Sequence, residues 1–163
     1  MSVNRMLRGV AAGAAVLGGV ILGSGTAVAA PNWQAVVGPF YSCGKSVPHP
    51  AASGVRFQGC LVVSSLGKAQ LVLVANNFSG RPVTMSGAID SDFGAAPCNE
   101  KTLATGSNHA CYGPTDVVDD CYDWGAGAAD GPYGGTVRLT VGGQTAETSL
   151  HDVCLAWDEE PWS

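Results

Sequence analysis

The sequence predicts an all-β protein: an antiparallel, immunoglobulin-like β-sandwich of about seven strands, stapled by three disulfides. Three observations predict this fold. Helical periodicity is nearly absent up to residue 144. Short runs of alternating apolar and polar residues recur between clusters of turn residues. The chain contains six cysteines, an even number that is typical of disulfide pairing in exported domains.

The first 29 residues have the pattern of a cleavable secretory signal. Arg5 and Arg8 precede the apolar stretch Val10–Leu22, and Ala27-Val28-Ala29 supplies the small side chains that signal peptidase needs. The apolar stretch is shorter than the roughly 20 residues of a membrane-spanning helix. No cysteine lies near the cleavage point, so lipid attachment is not expected. We therefore expect a single secreted, extracellular domain over residues 30–163, with no membrane attachment after cleavage.

The first half of this domain carries three strand patterns. Val55–Val63 is one strand, in which Gly59 is a candidate bulge. Gln70–Ala75 is apolar on both faces, as a central strand would be, and Pro82–Asp90 alternates as a half-buried strand does. Asn76–Gly80 lies between the last two and has turn composition, so the sequence predicts a hairpin there.

The second half has a clearer hairpin. Thr136–Val141 alternates, Gly142-Gly143 provides a two-residue turn with positive φ, and Gln144–Leu150 returns. The stretch 145–160 fits a strand and also a short C-terminal helix; its alternating apolar residues favour the strand. Weaker strand patterns occur at Trp33–Val37, His109–Tyr112 and Val117–Tyr122.

Charge narrows the range of partners. The predicted mature chain has six basic and thirteen acidic residues, a net charge of −7. Such a balance argues against nucleic acid or an anionic membrane as the partner. The expected partner is an extracellular protein or a polysaccharide, and the domain is expected to be a monomer.

All six cysteines follow the predicted signal, and we expect them to be structural. Fifteen pairings are possible for six cysteines, and we favour pairing between neighbours in the chain. The predicted disulfides are Cys43–Cys60, Cys98–Cys111 and Cys121–Cys154. The cysteines contain no C-x-x-C pair, which argues against a zinc site.

Three stretches resemble small secreted proteins of actinobacteria that are similar to immunoglobulin-like sandwiches. They are Val55–Val63, Leu71–Ile89 and Ala104–Thr115. The segment Cys121–Gly125 is also similar to spore-associated secreted proteins of the same bacteria. These resemblances imply the fold and the compartment, and they bring no catalytic residues with them.

An acidic stretch is the candidate metal site. It has no basic residue inside it, and carboxylates of this kind are ligands for Ca²⁺. The spacing does not match an EF-hand loop, so a solvated acidic loop is the preferred interpretation and no cofactor is expected. The residues concerned are Asp116, Asp119, Asp120, Asp123 and Asp130.

Catalytic patterns are weak. His49, His109 and His151 lie in separate segments, and the sequence contains no G-x-S-x-G, H-E-x-x-H or phosphate-loop motif. A small secreted hydrolase therefore stays an alternative. A protease-inhibitor-like protein is another, with a rigid loop between disulfide cysteines, Pro97–Pro114, as its binding segment.

Aromatic side chains are the most plausible binding groups. Rings exposed on a sandwich can stack on sugars, although a sandwich core also contains aromatic residues. The candidate ligand-binding residues are Trp124, Tyr133, Tyr122 and Trp33, with Tyr112, Trp157 and Trp162 as further aromatic candidates. The sequence therefore favours a non-enzymatic secreted domain that acts through a binding surface, with a polysaccharide or cell-wall binding module as a specific alternative.

Overall fold

Strands make up the described part of the protein. The computed structural model describes residues 33–36, 40–64, 66–118 and 133–154, in which eleven β-strands and no helix occur. This part of the chain thus contains no helical segment that could cross a membrane. In chain order the strands are β1 (Gln34–Ala35), β2 (Ser42–Cys43), β3 (Val47–Pro48), β4 (Val55–Val63), β5 (Lys68–Asn77), β6 (Val83–Ser91), β7 (Gly94–Leu103), β8 (Ser107–Tyr112), β9 (Asp116–Val117), β10 (Tyr133–Val141) and β11 (Gln144–Val153).

The strands form two antiparallel sheets. Sheet A has the order β1-β8-β5-β4-β2, with β3 also paired to β4 and β9 also paired to β5. Sheet B has the order β11-β10-β6-β7. Seven strands have six or more residues, namely β4 to β8, β10 and β11. The predicted all-β antiparallel sandwich of about seven strands is confirmed.

The main core lies between the two sheets, where the alternation in the sequence places apolar side chains. Leu71, Leu73 and Phe57 of sheet A and Ile89 and Leu139 of sheet B are fully or almost fully buried. Burial of each such side chain stabilises the folded state by roughly 2 kcal/mol. The alternation predicted for Pro82–Asp90 and Thr136–Val141 is therefore confirmed, since the large apolar side chains of both stretches are buried.

Gly87 lets the two sheets approach closely. A Cβ atom at this position would lie 2.5 Å from Cδ2 of Leu73 and 2.7 Å from the carbonyl oxygen of Arg138. The main core therefore has no room for a side chain here. Gly142 and Gly143 meet a different need, because the β10–β11 turn places them at φ angles of 58° and 79°.

The hairpin predicted between Gln70–Ala75 and Pro82–Asp90 is wrong. β5 pairs with β4, β8 and β9 in sheet A, whereas β6 pairs with β7 and β10 in sheet B, so the chain crosses between the sheets. Asn77, at the end of β5, is fully buried and organises this crossover. Its Nδ2 donates to the carbonyl oxygens of Arg81 (2.9 Å), Leu103 (3.0 Å) and Ala104 (3.3 Å).

A binding loop over Pro97–Pro114 is also contradicted. Pro97 to Leu103 belong to β7 of sheet B, and β8 of sheet A follows after only three residues. The sequence pattern missed β7 because it begins with Gly94 and contains Pro97, which disfavour strands. The segment therefore contributes to both layers of the sandwich and is not an exposed loop.

Three smaller expectations have different outcomes. Gly59 of β4 does not form a bulge against β5, since Val55–Val63 pairs with β5 in an unbroken register. The stretch from residue 144 to 153 is a strand, as favoured over a helix, and residues 155–160 lie outside the described part. The weak pattern Val117–Tyr122 overlaps β9 only at Val117, and its last four residues lie outside that part as well.

Two predicted disulfides are confirmed, Cys43–Cys60 and Cys98–Cys111. The first joins directly paired residues of β2 and β4, and the second joins β7 of sheet B to β8 of sheet A. Cys154 is disulfide-bonded too, but its predicted partner Cys121 lies outside the described residues, so that pairing stays a prediction. Disulfides of this kind indicate an oxidising, extracytoplasmic environment.

Candidate functional site

The outer face of sheet A carries a second apolar cluster. Val72 and Val74 of β5 point away from the main core and are almost completely buried, together with Cys60 and Ala110. Half-buried side chains pack against this cluster, among them Val36, Phe40, Val62 and Tyr112. β5 is therefore buried on both faces, as its continuous apolar sequence predicts.

Four amide side chains surround part of this cluster; we call them the amide face. Asn76 of β5 is paired with Asn108 of β8, and in the next outward row Gln34 of β1 is paired with Ala110 and Gln58 of β4 with Val74. Asn108 and Gln34 are exposed, and Asn76 and Gln58 are half-buried. The amide face thus crosses four neighbouring strands, with the buried side chains of Ala110 and Val74 between the two glutamines.

Most amide side chains of this face form no hydrogen bond with other described residues. Within the described part of the chain, the side chains of Gln34, Asn76 and Asn108 form no hydrogen bond. Gln58 donates from Nε2 only to Sγ of Cys60, at 3.3 Å. Since each amide offers two N–H donors and a carbonyl acceptor, the face presents both kinds of group to a ligand.

The three long strands that carry the amide face have no carboxylate. β4, β5 and β8 have no Asp or Glu anywhere along their lengths. Of their cations, Arg56 donates from Nη2 to the carbonyl oxygen of Ser46 (2.6 Å) and from Nε to its Oγ (3.3 Å), and Lys68 lies at the far end of β5. Arg56 is exposed and is paired with Asn76 in the same outward row, and its Ser46 partners are uncharged, so the face carries the positive charge of this guanidinium.

The outer face of sheet B differs, because its polar side chains bond to one another. Hydroxyl pairs face each other at Thr84–Thr102 (2.7 Å), Thr140–Thr145 (2.7 Å) and Thr136–Ser149 (2.9 Å). Arg138 and Glu147 form an exposed ion pair at 3.3 Å. This face offers fewer unused groups and is a matched control surface for the amide face.

Of the predicted ligand-binding aromatics, Trp33 and Tyr133 lie in the described part of the chain, and neither is an exposed ring. Trp33 is 5% exposed, and its Nε1 donates to the carbonyl oxygen of Asn99 (2.8 Å), so this ring belongs to the core and the expectation of an exposed ring is corrected. Tyr133 is half-buried and stacks on Phe93 with ring centroids 5.7 Å apart. Tyr122 and Trp124 lie outside the described residues, as do Trp157 and Trp162.

Most of the candidate calcium ligands lie outside the described residues. Asp116 is exposed, and its Oδ1 accepts the backbone N–H of Val117 at 2.8 Å. Asp119, Asp120, Asp123 and Asp130 lie outside the described residues. In the described ranges no group of three or more His, Cys, Asp or Glu side chains is placed to hold a metal ion.

The three histidines have separate roles. His49 is buried, its Nδ1 accepts the N–H of Ala51 (3.2 Å), and Nε2 therefore carries the proton that it donates to the carbonyl oxygen of Leu139 (3.1 Å). His109 lies on β8 and His151 on β11. None of the three is hydrogen-bonded to a carboxylate within residues 33–36, 40–64, 66–118 and 133–154.

His109 makes the stability of the fold depend on pH. Burial, and secondarily the charge of Lys101, lower the pKa of His109 from its ordinary value of 6.5. Its Nδ1 is buried with no hydrogen-bond partner among the described residues. Because the unfolded chain then binds a proton more readily than the folded one, this group lowers stability as the pH falls below 6.5.

We expect His109→Gln to flatten this dependence. The melting temperature of the wild type should fall more steeply between about pH 7 and about pH 5 than that of the variant, because only the wild type must bury this titrating ring. Differential scanning calorimetry across this range measures both slopes, with exposed His151→Gln as the control. Identical slopes for His109→Gln and the wild type would contradict the assignment.

The comparisons with known proteins do not identify a function for this chain. No protein-family model matches the chain, and no curated protein matches it. Among solved structures, the exo-chitosanase CsxA of Amycolatopsis orientalis aligns with 62% of this chain at 18% identity and a TM-score of 0.38. The chain spans 13% of the length of that enzyme chain. At this TM-score the likeness carries no argument about fold or activity.

Proposed function

We propose that this protein is a secreted, non-enzymatic domain that binds a component of the cell envelope through the amide face. One observation carries the proposal: amide side chains that form almost no hydrogen bonds within the described part of the chain lie at registered positions on neighbouring strands. Buried polar contacts with a ligand would give these groups the partners that the fold does not supply. Residues 1–29 would act as the export signal.

The histidine environments support a role in binding and not in catalysis. A general base needs a histidine or carboxylate that is poised next to a nucleophile or an orienting group. Both nitrogens of His49 are occupied by backbone groups. His109 has its buried Nδ1 unpaired, with Lys101 as the charged group that affects its pKa. Neither ring is placed as a hydrolase requires.

Retention on cell envelopes tests the proposal. The mature protein is incubated with washed, untreated envelopes of the producing cells, and the fraction left in the supernatant gives the affinity. We expect Asn76→Ala/Asn108→Ala to bind about tenfold more weakly than the wild type, because two neighbouring hydrogen-bonding groups are lost. Neither side chain forms a hydrogen bond within the described part of the chain, so the variant should remain folded.

Thr84→Ala/Thr102→Ala is the matched control for this experiment. It removes an exposed, directly paired set of polar side chains from the outer face of the other sheet. We expect its retention to equal that of the wild type. A wild-type protein that stays entirely in the supernatant, or an Asn76→Ala/Asn108→Ala variant that binds as well as the wild type, would overturn the proposal.

A further inference from the structure

We infer that the ligand of the amide face is an anionic polysaccharide, a glycan whose sugar units carry carboxylate or phosphate groups. This inference rests on the proposed function, because it names the class of molecule that the same surface binds. It follows from one row of polar side chains, from the distribution of charge over the described residues and from the apolar residues that the surface lacks.

A cation stands at one end of a row of two amides on the outer face of sheet A. Arg56 of β4 is paired with Asn76 of β5, which is paired in turn with Asn108 of β8. We call these three residues the Arg56 row; it spans two strand spacings, or about 10 Å. Arg56 and Asn108 are exposed, and Asn76 is half-buried. A ligand that lies across the strands here meets one positive charge and two amides in succession.

Ser46 holds the guanidinium of Arg56 by one side only. Nε donates to Oγ of Ser46 (3.3 Å), and Nη2 donates to the carbonyl oxygen of Ser46 (2.6 Å). A guanidinium has five N–H donors, so both N–H groups of Nη1 and the second one of Nη2 remain. Nη1 and Nη2 together form the fork that binds two oxygens of a carboxylate or a phosphate. Arg56 forms no ion pair within the described part of the chain, so this fork is held in place and available.

The acids of the described residues lie away from the Arg56 row. Residues 30–89 include four basic residues and no Asp or Glu, and all thirteen acids follow in the chain. The strands of sheet A contain one acid, Asp116 of β9, which pairs with Ala69 of β5. Ala69 precedes Asn76 by seven residues, or about 23 Å along the strand. The acids of β6, β7 and β11 belong to sheet B, which the main core separates from this outer face.

This separation favours an anionic ligand at Arg56. Charges in water are largely screened beyond a Debye length, which is about 8 Å at physiological ionic strength. A carboxylate or phosphate bound by the guanidinium is therefore attracted by a nearby cation and is not repelled by a carboxylate of the same sheet. A cationic ligand would meet the opposite situation.

The two amides of the row match the hydroxyl groups of a glycan. A sugar hydroxyl both donates and accepts, and an amide does the same through its N–H groups and its carbonyl oxygen. The side chains of Asn76 and Asn108 form no hydrogen bond with other described residues. Peptides, in contrast, commonly bind by adding a strand at a sheet edge. The Arg56 row lies across β5, whose backbone is paired on both sides, so recognition here must use side chains.

The surface and the charge of the molecule disfavour other anions. A membrane-binding surface inserts apolar side chains between lipids. The large apolar residues that are exposed in the described part are Tyr41, Leu66, Phe78 and Val117, and none of them lies on β4 or β8 or points from β5. A nucleic acid is bound through many phosphates. The row has one cation, in a chain with a predicted mature net charge of −7. Spaced anionic groups among hydroxyls fit this surface better than a dense polyanion.

Arg56→Gln tests the row through retention on washed, untreated envelopes. We expect this variant to bind about tenfold more weakly than the wild type, because a charge-assisted pair of hydrogen bonds is lost. Arg56→Lys keeps the charge without the fork and should lie between the two. Raising the salt from about 0.05 M to about 0.5 M should weaken retention of the wild type more than that of Arg56→Gln.

Lys68→Gln is the matched control. It removes an exposed cation from the far end of β5, about 26 Å along the strand from Asn76, and it should be retained as the wild type is. Retention of Arg56→Gln at the wild-type level, or an equal loss in Lys68→Gln, would overturn the inference.

The chemical class is tested by treating the envelopes before binding. Protease removes protein, and organic solvent removes lipid. Carbodiimide with glycinamide converts carboxylates to neutral amides, and cold hydrofluoric acid removes phosphodiesters. We expect wild-type retention to stay within about twofold after the first two treatments and to fall about tenfold after one of the last two. The treatment that causes the fall identifies the anionic group as carboxylate or phosphate.

The remaining outcomes separate this inference from the proposed function. Loss of retention after protease would identify a protein ligand, and loss after solvent extraction would identify a lipid. Full retention after both kinds of anionic group had been removed would identify a neutral ligand. Each of these results overturns the anionic polysaccharide and leaves the envelope-binding function intact, whereas no retention of the wild type on untreated envelopes overturns both.

Discussion

Replacing Asn77 by alanine is expected to lower the free energy of unfolding by about 3 kcal/mol or more. Its side chain is fully buried and bonds to two crossovers between the sheets, at Arg81 after β5 and at Ala104 after β7. Oδ1 accepts from the N–H and the hydroxyl of Ser79, and Nδ2 donates to carbonyl oxygens that follow β5 and end β7. Alanine would leave these buried groups without partners, which costs more than the bonds themselves contribute.

The neighbouring Asn76→Ala is the control, because its side chain is on the outer face and makes no side-chain hydrogen bond among the described residues. We expect it to change stability by less than about 0.5 kcal/mol. Ser79→Ala gives an intermediate loss of about 1 kcal/mol, and it keeps the series measurable if Asn77→Ala does not fold. Urea denaturation measures all three. Equal stabilities for the Asn76→Ala and Asn77→Ala variants would contradict the role of Asn77.

Removing the disulfide between Cys98 and Cys111 is expected to lower stability by about 4 kcal/mol. Closing a loop of this length, with a sequence separation of 13, accounts for about 3 kcal/mol in the chain-entropy model. Both sulfur-bearing side chains lie within the main core between the sheets, so the alanine variant also loses buried contacts worth about 1 kcal/mol. Denaturation of the Cys98→Ala/Cys111→Ala variant measures the effect.

The Cys43→Ala/Cys60→Ala variant is the matched comparison. Its sequence separation of 17 gives nearly the same entropy term, about 3 kcal/mol. Cys43 is exposed, so less buried contact is lost. We therefore expect the smaller loss for this pair. A larger loss than that of Cys98→Ala/Cys111→Ala would show that burial does not set the order.

Much of the fold could be predicted because local patterns coincide with the strands. Val55–Val63 is predicted with its observed bounds, and the turn at Gly142-Gly143 is predicted with its positive φ angles. The choice of sheet could not be predicted in the same way. Asn77 fixes the β5–β6 crossover through hydrogen bonds to Leu103 and Ala104, which are 26 and 27 positions away in the chain. The local sequence, which has turn composition, does not indicate these distant partners.

Less of the candidate site than of the fold could be predicted from the sequence. Asn76 falls in the predicted turn, and Asn108 precedes the weak pattern at His109–Tyr112. Gln58 lies in the predicted strand Val55–Val63, at a position that alternates with apolar residues. This polar residue within an apolar strand was the indication of the site that the sequence contained. Pairing of β8 with β5 and of β1 with β8 joins these amides into one surface, and such register depends on contacts between distant parts of the chain.

Each edge strand of sheet B is contacted by an N-terminal segment that adjoins strands of sheet A. Trp33 bonds to the bulged region of β7 at Asn99, and Gly44 and Lys45 lie against β11, where Thr148 donates to the carbonyl oxygen of Lys45 (3.4 Å). Exposed edges invite pairing between molecules, which leads to aggregation. The two N-terminal segments therefore limit the length of free edge to which a second molecule could add a strand.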